Sequence, residues 1–465
     1  MALPEGRALL VLGEAGHGKT TVALHRLAHL WRERGAERAR MRTAVVVPAE
    51  GLARLMQPVL RRLGVDVEAR TYDAWAAAQA RRAFRDLPRR ESELAPHLVA
   101  RFKRDPALRG ALTAVARRPA GRVDDDRDGP RVRSRALARR ADLQHLFGDR
   151  RLVEAVVRAS EDLPARAVGE VLEHTRLQFA LTAEEEWAHV TDKARLKAVD
   201  RRQLDEGTSS ADASTVDVED YAVLFEIDRI RASALSKREV PPKRYDTLLV
   251  DEAQEFAPLE LNLLGRSLAP GGTLVVAGDA DQQTGATTRF RGWEVVMGEL
   301  GCAEHTTARL DISYRCPPEV VALARGILRE GKRLPTSPPI ATFANETELA
   351  RELGHALQAL RRSDPRASIV VLCHTPRTAR RLADRLRLTV PTRVVFDGRF
   401  LARGPVQVTT VEEAKGLEFD FVVVPDATAT DYPDTPAARR ALYVAVTRAR
   451  HQVVLSNPGE RTPLV

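Results

Sequence analysis

The sequence is poor in cysteine, in aromatic rings and in long apolar runs. Its 465 residues hold three cysteines, Cys302, Cys316 and Cys373, with no CxxC spacing. That excludes a disulfide scaffold and argues against a structural zinc. No stretch approaches the roughly 18 apolar residues of a membrane span. The opening MALPEGRALLVLG runs into a strand pattern and lacks a signal-peptide layout. A cytoplasmic protein with no membrane partner is expected. Aromatics are 5% of residues, so stacking surfaces are scarce. Acid is not in excess either. Lys and Arg total 73 against 64 Asp and Glu, a net charge of +9. That balance permits a polyanionic partner without requiring one. Hydrophobic residues at 44% and charged residues at 29% are the composition of a folded chain. The length suits two or three domains.

Short β-branched runs bounded by turn residues recur at 8–12, 43–47, 247–250, 273–277, 368–372, 406–409, 421–424 and 452–455. Most are nearly continuous in apolar residues, as buried parallel strands are. Helical spacing fills 21–34, 51–63, 346–361 and 376–387. The alternation predicts an α/β fold with parallel sheets flanked by helices. From about 76 to 244 strand signals vanish, and helix-period segments such as 151–159 and 218–231 take over. A helical insertion is expected there. Polar loops are predicted at 123–130 and 204–216, and a Pro-rich connector at 335–340.

Gly13, Glu14, Ala15, Gly16, His17, Gly18, Lys19 and Thr20 satisfy GxxxxGK[ST], with a strand before and a helix after. Glycines let backbone N–H groups turn towards phosphate oxygens, and the helix N-terminus adds partial positive charge. Lys19 is suited to the β- and γ-phosphates and the Thr20 hydroxyl to Mg²⁺, so ATP and Mg²⁺ are the expected cofactors. Thr21 completes the candidate nucleotide contacts, and His17 is expected to offer its backbone N–H. The strand at 247–250 ends in Asp251 and Glu252. Asp251 is the candidate metal carboxylate and Glu252 the group that polarises an attacking water. The strand at 273–277 leads to Gln282, a candidate sensor of the γ-phosphate.

GEAGHGKT, VDEAQ, GDADQ, SYR (313–315), AKGLEFD (414–420) and LYVAVTRAR (442–450) occur in this order. The set resembles superfamily 1 helicases of the UvrD/Rep class, and in texture the HelD-like branch. The resemblance implies two RecA-like P-loop NTPase domains, 1–312 with the helical insertion inside it and 313–465, with ATP between them. It implies ATP-driven movement on single-stranded DNA with 3′→5′ polarity. Arg315 and Arg448 would reach the γ-phosphate and, with Lys19, Glu252 and Gln282, form the catalytic set. Glu418 would contact the ribose, and Lys415 and Gly416 would belong to the coupling segment. Tyr72 and Trp75 would face the strand, and Phe290 and Trp293 would be further stacking candidates. The HelD-like texture makes an ATPase that remodels a complex containing RNA polymerase or another protein an alternative, and an ATP-binding, partner-dependent module with weak turnover is a second.

The sequence also departs from the family pattern. Residues 1–7 hold no Gln, where the family carries an adenine-reading glutamine. The segment between Gln282 and Phe290-Arg291-Gly292 is extended. Only 100 positions separate Arg315 from Lys415, too few for the subdomain that the family inserts there. Basic clusters at 131–140, 377–387 and Arg439–Arg440 are the candidate phosphate contacts.

Overall fold

The computed structural model describes residues 3–35, 41–92, 95–117, 138–182, 189, 213–312, 316–329 and 340–465. The first strands are β1 (Ala8–Gly13), β2 (Thr43–Val47), β3 (Ala69–Thr71), β4 (Arg90–Glu91), β5 (Thr215–Val216), β6 (Tyr245–Val250), β7 (Leu268–Gly278) and β8 (Thr306–Leu310). They are followed by β9 (Ile340–Phe343), β10 (Ile369–Cys373), β11 (Thr392–Val394), β12 (Val406–Thr410), β13 (Phe419–Val424) and β14 (Ala449–Pro458). Two six-stranded sheets result, ordered β3-β2-β6-β7-β1-β8 and β11-β12-β10-β13-β14-β9. Every pairing within them is parallel. The fold is α/β, as expected, in the arrangement of two RecA-like P-loop domains.

Burial on both faces explains the apolar runs. Leu248 and Val250 enter one core while Leu249, between them, enters another with Val45 and Val275. Successive side chains of a strand point to opposite faces, so a strand covered on both sides needs apolar residues at every position. Helices Lys19–Glu33 and Glu50–Arg62 cover one face of the first sheet; Tyr72–Ala83, Val218–Ala234 and Pro258–Arg266 cover the other. In the second sheet, Val370 and Leu372 face helices Pro318–Leu328 and Pro436–Val446. Ile369 and Val371 face Glu346–Ser363 and Pro376–Leu386. Each fully buried Leu or Val contributes about 1.5–3 kcal/mol relative to exposure.

All eight expected strands are present. The other strands of the two sheets, β3, β8, β9 and β11, lie at sheet edges. One neighbour and a wet side leave them short and mixed in polarity, as in the Thr306–Leu310 run TTARL. The stretch from 76 to 244 carries helices His97–Arg104, Leu108–Ala116, Arg140–Gly148, Arg150–Ala159, Ala167–Gln178 and Val218–Ala234. Its expected lack of strands needs correction, because β4 and β5 pair in parallel, Arg90 opposite Thr215. A buried ionic knot ties these helices together. Lys103 Nζ donates to Asp217 and Asp220 at 2.6 Å each, His174 Nε2 lies 2.9 Å from Asp217, and Gln178 donates to Asp220 at 2.9 Å. Removing one partner of such a knot costs roughly 3–5 kcal/mol.

The loop at 123–130, most of that at 204–216, most of the 335–340 connector and Ser313–Arg315 lie outside the described residues. Between Cys316 and Lys415 the described residues form elements of the second sheet and its helices, with no inserted subdomain among them. Among the described residues no helix is long and apolar enough to cross a membrane. The start of helix Glu50–Arg62 meets the loop at 397–400 partly through bare backbone. A Cβ on Gly398 (φ +65°) would stand 2.8 Å from the Gly51 nitrogen, and one on Gly51 would meet Leu417 and Phe400.

Candidate functional site

The order of the first sheet brings the C-terminal ends of β1, β7 and β6 side by side. Leu10 of β1 faces Val276 of β7, and Val276 is joined on its other side to Val250 of β6. Three polar turns therefore meet, 13–20, 251–255 and 279–283, as strand ends in open α/β sheets do. Gly16 and Gly18 both take φ of +81°, which L side chains rarely adopt, and Gly18 caps helix Lys19–Glu33. His17 donates its backbone N–H to the Glu14 carbonyl, and its ring bonds the Leu310 carbonyl.

The side chains of these turns hold one another. Thr20 Oγ1 donates to Asp251 Oδ2 at 2.7 Å. Lys19 Nζ donates to the Glu14 carbonyl at 3.1 Å and lies 3.6 Å from Asp279 Oδ2. Gln254 Nε2 donates to Glu252 Oε2 at 2.6 Å, while Gln254 Oε1 accepts the Asp279 N–H at 3.1 Å. Gln282 Nε2 donates to Asp279 Oδ2 at 2.7 Å. Glu252 has a left-handed backbone, φ +52°, unusual for a non-glycine and typical of strained functional positions. Burial first, and the Glu252 charge second, push the Asp251 carboxyl up to about 7, against the Thr20 hydrogen bond. A cation there would remove that cost. The donor set thus fits a phosphate chain with a divalent ion.

The second sheet closes the cleft. Arg448, 1% exposed, donates to Gln282 Oε1 at 2.5 Å and to the carbonyls of Val444 and Leu417. These acceptors are neutral oxygens, so a buried guanidinium faces the Gln282 side chain. The Ala15 N–H donates to Tyr443 Oη at 3.3 Å, and Arg325 Nε pairs with Glu14 at 3.0 Å. Lys415 Nζ lies 3.1 Å from Glu255 Oε2. Glu418 pairs with Arg450 at 2.8 Å, so a ribose contact from it would compete with that pair. Arg315 lies outside the described residues. Gln254, Asp279 and Tyr443 are parts of this cleft that the sequence reading passed over, although VDEAQ, GDADQ and LYVAVTRAR contain them.

The stacking candidates fare differently. Tyr72 and Trp75, each 2% exposed, are turned into the core, with ring centroids 5.9 Å apart and Tyr72 5.7 Å from Phe256. Their expected exposure to a strand is corrected: one turn apart on helix Tyr72–Ala83, both lie on its core face. Phe290 and Trp293 pack edge to face at 4.8 Å and are half-buried against the same core. Trp293 also lines a cavity of about 390 Å³ beside the phosphate loop, with Glu14, His17, Arg309 and Arg325.

A larger cavity, about 560 Å³, lies between the helical region, the 283–291 loop and the second sheet. Arg101, Arg104, Arg289, Arg291 and Arg440 line it, with Asp105, Asp162 and Asp431 among them. Arg289 pairs with Asp162 at 3.0 Å, Arg104 with Glu260 at 2.9 Å, and Arg440 donates to the Gln283 carbonyl at 3.1 Å. Of the basic clusters expected from sequence, only the last supplies a lining residue among the described residues, Arg440. Arg439 is buried against Asp434 and the Ile327 carbonyl, and residues 131–137 lie outside the described residues.

Among known proteins, the family model for an AAA domain matches residues 2–287, and that for a UvrD-like helicase C-terminal domain matches residues 405–456. No curated protein matches the chain. A solved structure, the C-terminal domain of a possible DNA helicase from Lactobacillus plantarum WCFS1, is 24% identical. The match covers 33% of this chain and 92% of that one, with a TM-score of 0.29, too slight a likeness to carry an argument.

Proposed function

The chain belongs to the AAA domain family as a UvrD/Rep-type superfamily 1 helicase with a helicase-type ATPase, and on that premise we propose that it couples ATP hydrolysis to 3′→5′ movement on single-stranded DNA. The observation that carries the proposal is the circuit of hydrogen bonds from Glu252 through Gln254, Asp279 and Gln282 to Arg448. It joins a water-polarising carboxylate on one sheet to a buried guanidinium on the other. Thr20 and Asp251 would hold Mg²⁺, which would supply positive charge to the phosphate chain. Lys19 neutralises the same phosphates. Glu252, aimed by Gln254, orients the attacking water and takes up its proton. Arg448 stabilises charge that develops in the transition state, so turnover depends on closure of the cleft. The strand is proposed to run through the arginine-lined cavity, its phosphates replacing the acids that now face Arg289 and Arg101. The proposed domains are 1–312 and 313–465, with the helical insertion within the first.

One observation favours a second reading, the remodelling of a protein–nucleic acid complex such as one containing RNA polymerase. Among the described residues, the cavity lining has no Phe, Tyr or Trp on which bases could stack. ATPase assays of the whole chain separate the two. Stimulation by single-stranded DNA is expected under the first reading, and stimulation by polymerase without DNA under the second. Glu252→Gln should bind ATP yet not turn it over. Hydrolysis that survives this change would overturn the site assignment.

A further inference from the structure

We infer that Glu255 is a positioning residue that ties ATP turnover to the state of the arginine-lined cavity, an inference that rests on the strand-stimulated ATPase proposed above. Glu255 is buried in the turn after β6, three residues beyond Glu252. Its two carboxylate oxygens meet three donors from two other segments. Oε1 accepts the Thr284 N–H at 3.0 Å; Oε2 accepts the Gly285 N–H at 3.1 Å and the Lys415 ammonium at 3.1 Å.

Each segment so joined also carries part of the hydrolytic cleft. The first holds Glu252 and the Gln254 that aims it. The second begins at Gln282, bonded to Asp279 and Arg448, and continues as the loop that walls the cavity with Thr287, Arg289 and Arg291. The third leads to Leu417, whose carbonyl accepts Arg448. Two adjacent amides gripped by the two oxygens of one carboxylate form a two-point hold. The loop cannot slide or tilt at Thr284 and Gly285 without carrying Glu255 with it. The fit is close: a Cβ on Gly285 would stand 2.8 Å from Glu255 Oε2.

Strand phosphates that draw Arg289 and Arg291 away from their present positions would therefore pull on Glu255, and through it on the turn that aims Glu252. Lys415 brings the second sheet into the same grip. A neutral amide cannot replace the carboxylate, because Gln would turn an NH₂ donor towards donors. Asp keeps the charge and shortens the reach.

The test is ATP turnover of the whole chain with and without single-stranded DNA, for wild type, Glu255→Gln, Glu255→Asp and Lys415→Met, with folding checked by thermal melting. The ratio of stimulated to basal turnover should fall about tenfold or more in Glu255→Gln, equivalent to one decade in rate. The KM for ATP should stay within about twofold of wild type, because nucleotide binding is untouched. Glu255→Asp should recover part of the ratio. The double change with Lys415→Met should be no worse than Glu255→Gln alone, as expected for groups acting as one unit. If Glu255→Gln does not fold, Lys415→Met carries the test through the same ratio. An unchanged ratio, or equal losses in basal and stimulated turnover with additive double changes, would overturn the inference. Absence of strand stimulation in the wild type would instead sink the proposed function.

Discussion

In the nucleotide cleft, Lys19, Thr20, Asp251, Glu252 and Gln282 come from three neighbouring strand ends and are held by one another or by Gln254 and Asp279 of the same turns. In the cavity on the far side of the 283–291 loop, the arginines come from positions 101 and 104, 289 and 291, and 440, and several are paired with acids. Under the proposed function the cleft is preorganised: Thr20, Asp251, Lys19 and Asp279 are already gathered on adjoining turns, so little reorganisation would accompany reaction. The cavity's arginines are held by ion pairs that, on the proposed strand path, phosphates would replace. The first region should respond to mutation in an all-or-none way. The second should respond in small, salt-sensitive steps.

The largest effect should follow from Lys19→Ala or Arg448→Ala, each expected to lower ATP turnover by roughly a hundredfold or more through lost transition-state charge stabilisation. Steady-state phosphate release with and without DNA checks this, and a loss that appears only with DNA would blur the line between the regions. An intermediate effect is expected from Arg289→Ala and Arg291→Ala. Strand affinity should weaken, and the salt slope should drop by about one for each phosphate contact removed. Basal turnover should hold. Asp162→Asn should act in the opposite sense, tightening strand binding, because it frees Arg289 from its partner. Titrations at several salt concentrations decide, and equal salt slopes in all variants would break the comparison.

The smallest effect on turnover should come from Asp426→Asn. Asp426 is buried and accepts the backbone N–H of His374, which lines the cavity. Burial pushes its carboxyl from the ordinary 3.8 up to about 7. The folded chain therefore keeps a proton that the unfolded chain releases. That contribution to stability is fully present below the unfolded value and is lost as pH rises through about 7. Thermal melts at about pH 5 and about pH 8 should show the wild type losing stability at the higher pH more than Asp426→Asn does, with nucleotide affinity unchanged. Parallel curves would remove Asp426 as the source.

Legibility followed the same division. The cleft was readable because each of its turns directly follows an apolar strand, so GEAGHGKT, VDEAQ and GDADQ announce both position and chemistry. The two sheets were readable because double-sided burial forces near-continuous apolar runs. The cavity was not, because Arg101, Arg289 and Arg440 are far apart in sequence and meet only through tertiary packing. Dense arginine runs misled: Arg381 and Arg385, on helix Pro376–Leu386, pair with Glu346 instead. Tyr72 and Trp75 misled for a related reason. Periodicity locates an amphipathic face without saying whether the core or a ligand will cover it. Glu255 sits inside a recognisable motif, yet its role depends on Thr284, Gly285 and Lys415, which no spacing rule connects to it.

The meeting of Gly51 with Gly398 has a mechanical consequence. The seam there has the thickness of two main chains, and it lies against Leu417, whose carbonyl accepts Arg448. A single methyl group at Gly398 would act as a shim, holding the second sheet away from the first and withdrawing Arg448 from Gln282. The spacing at this joint is set by the hydrogen atoms on two α-carbons.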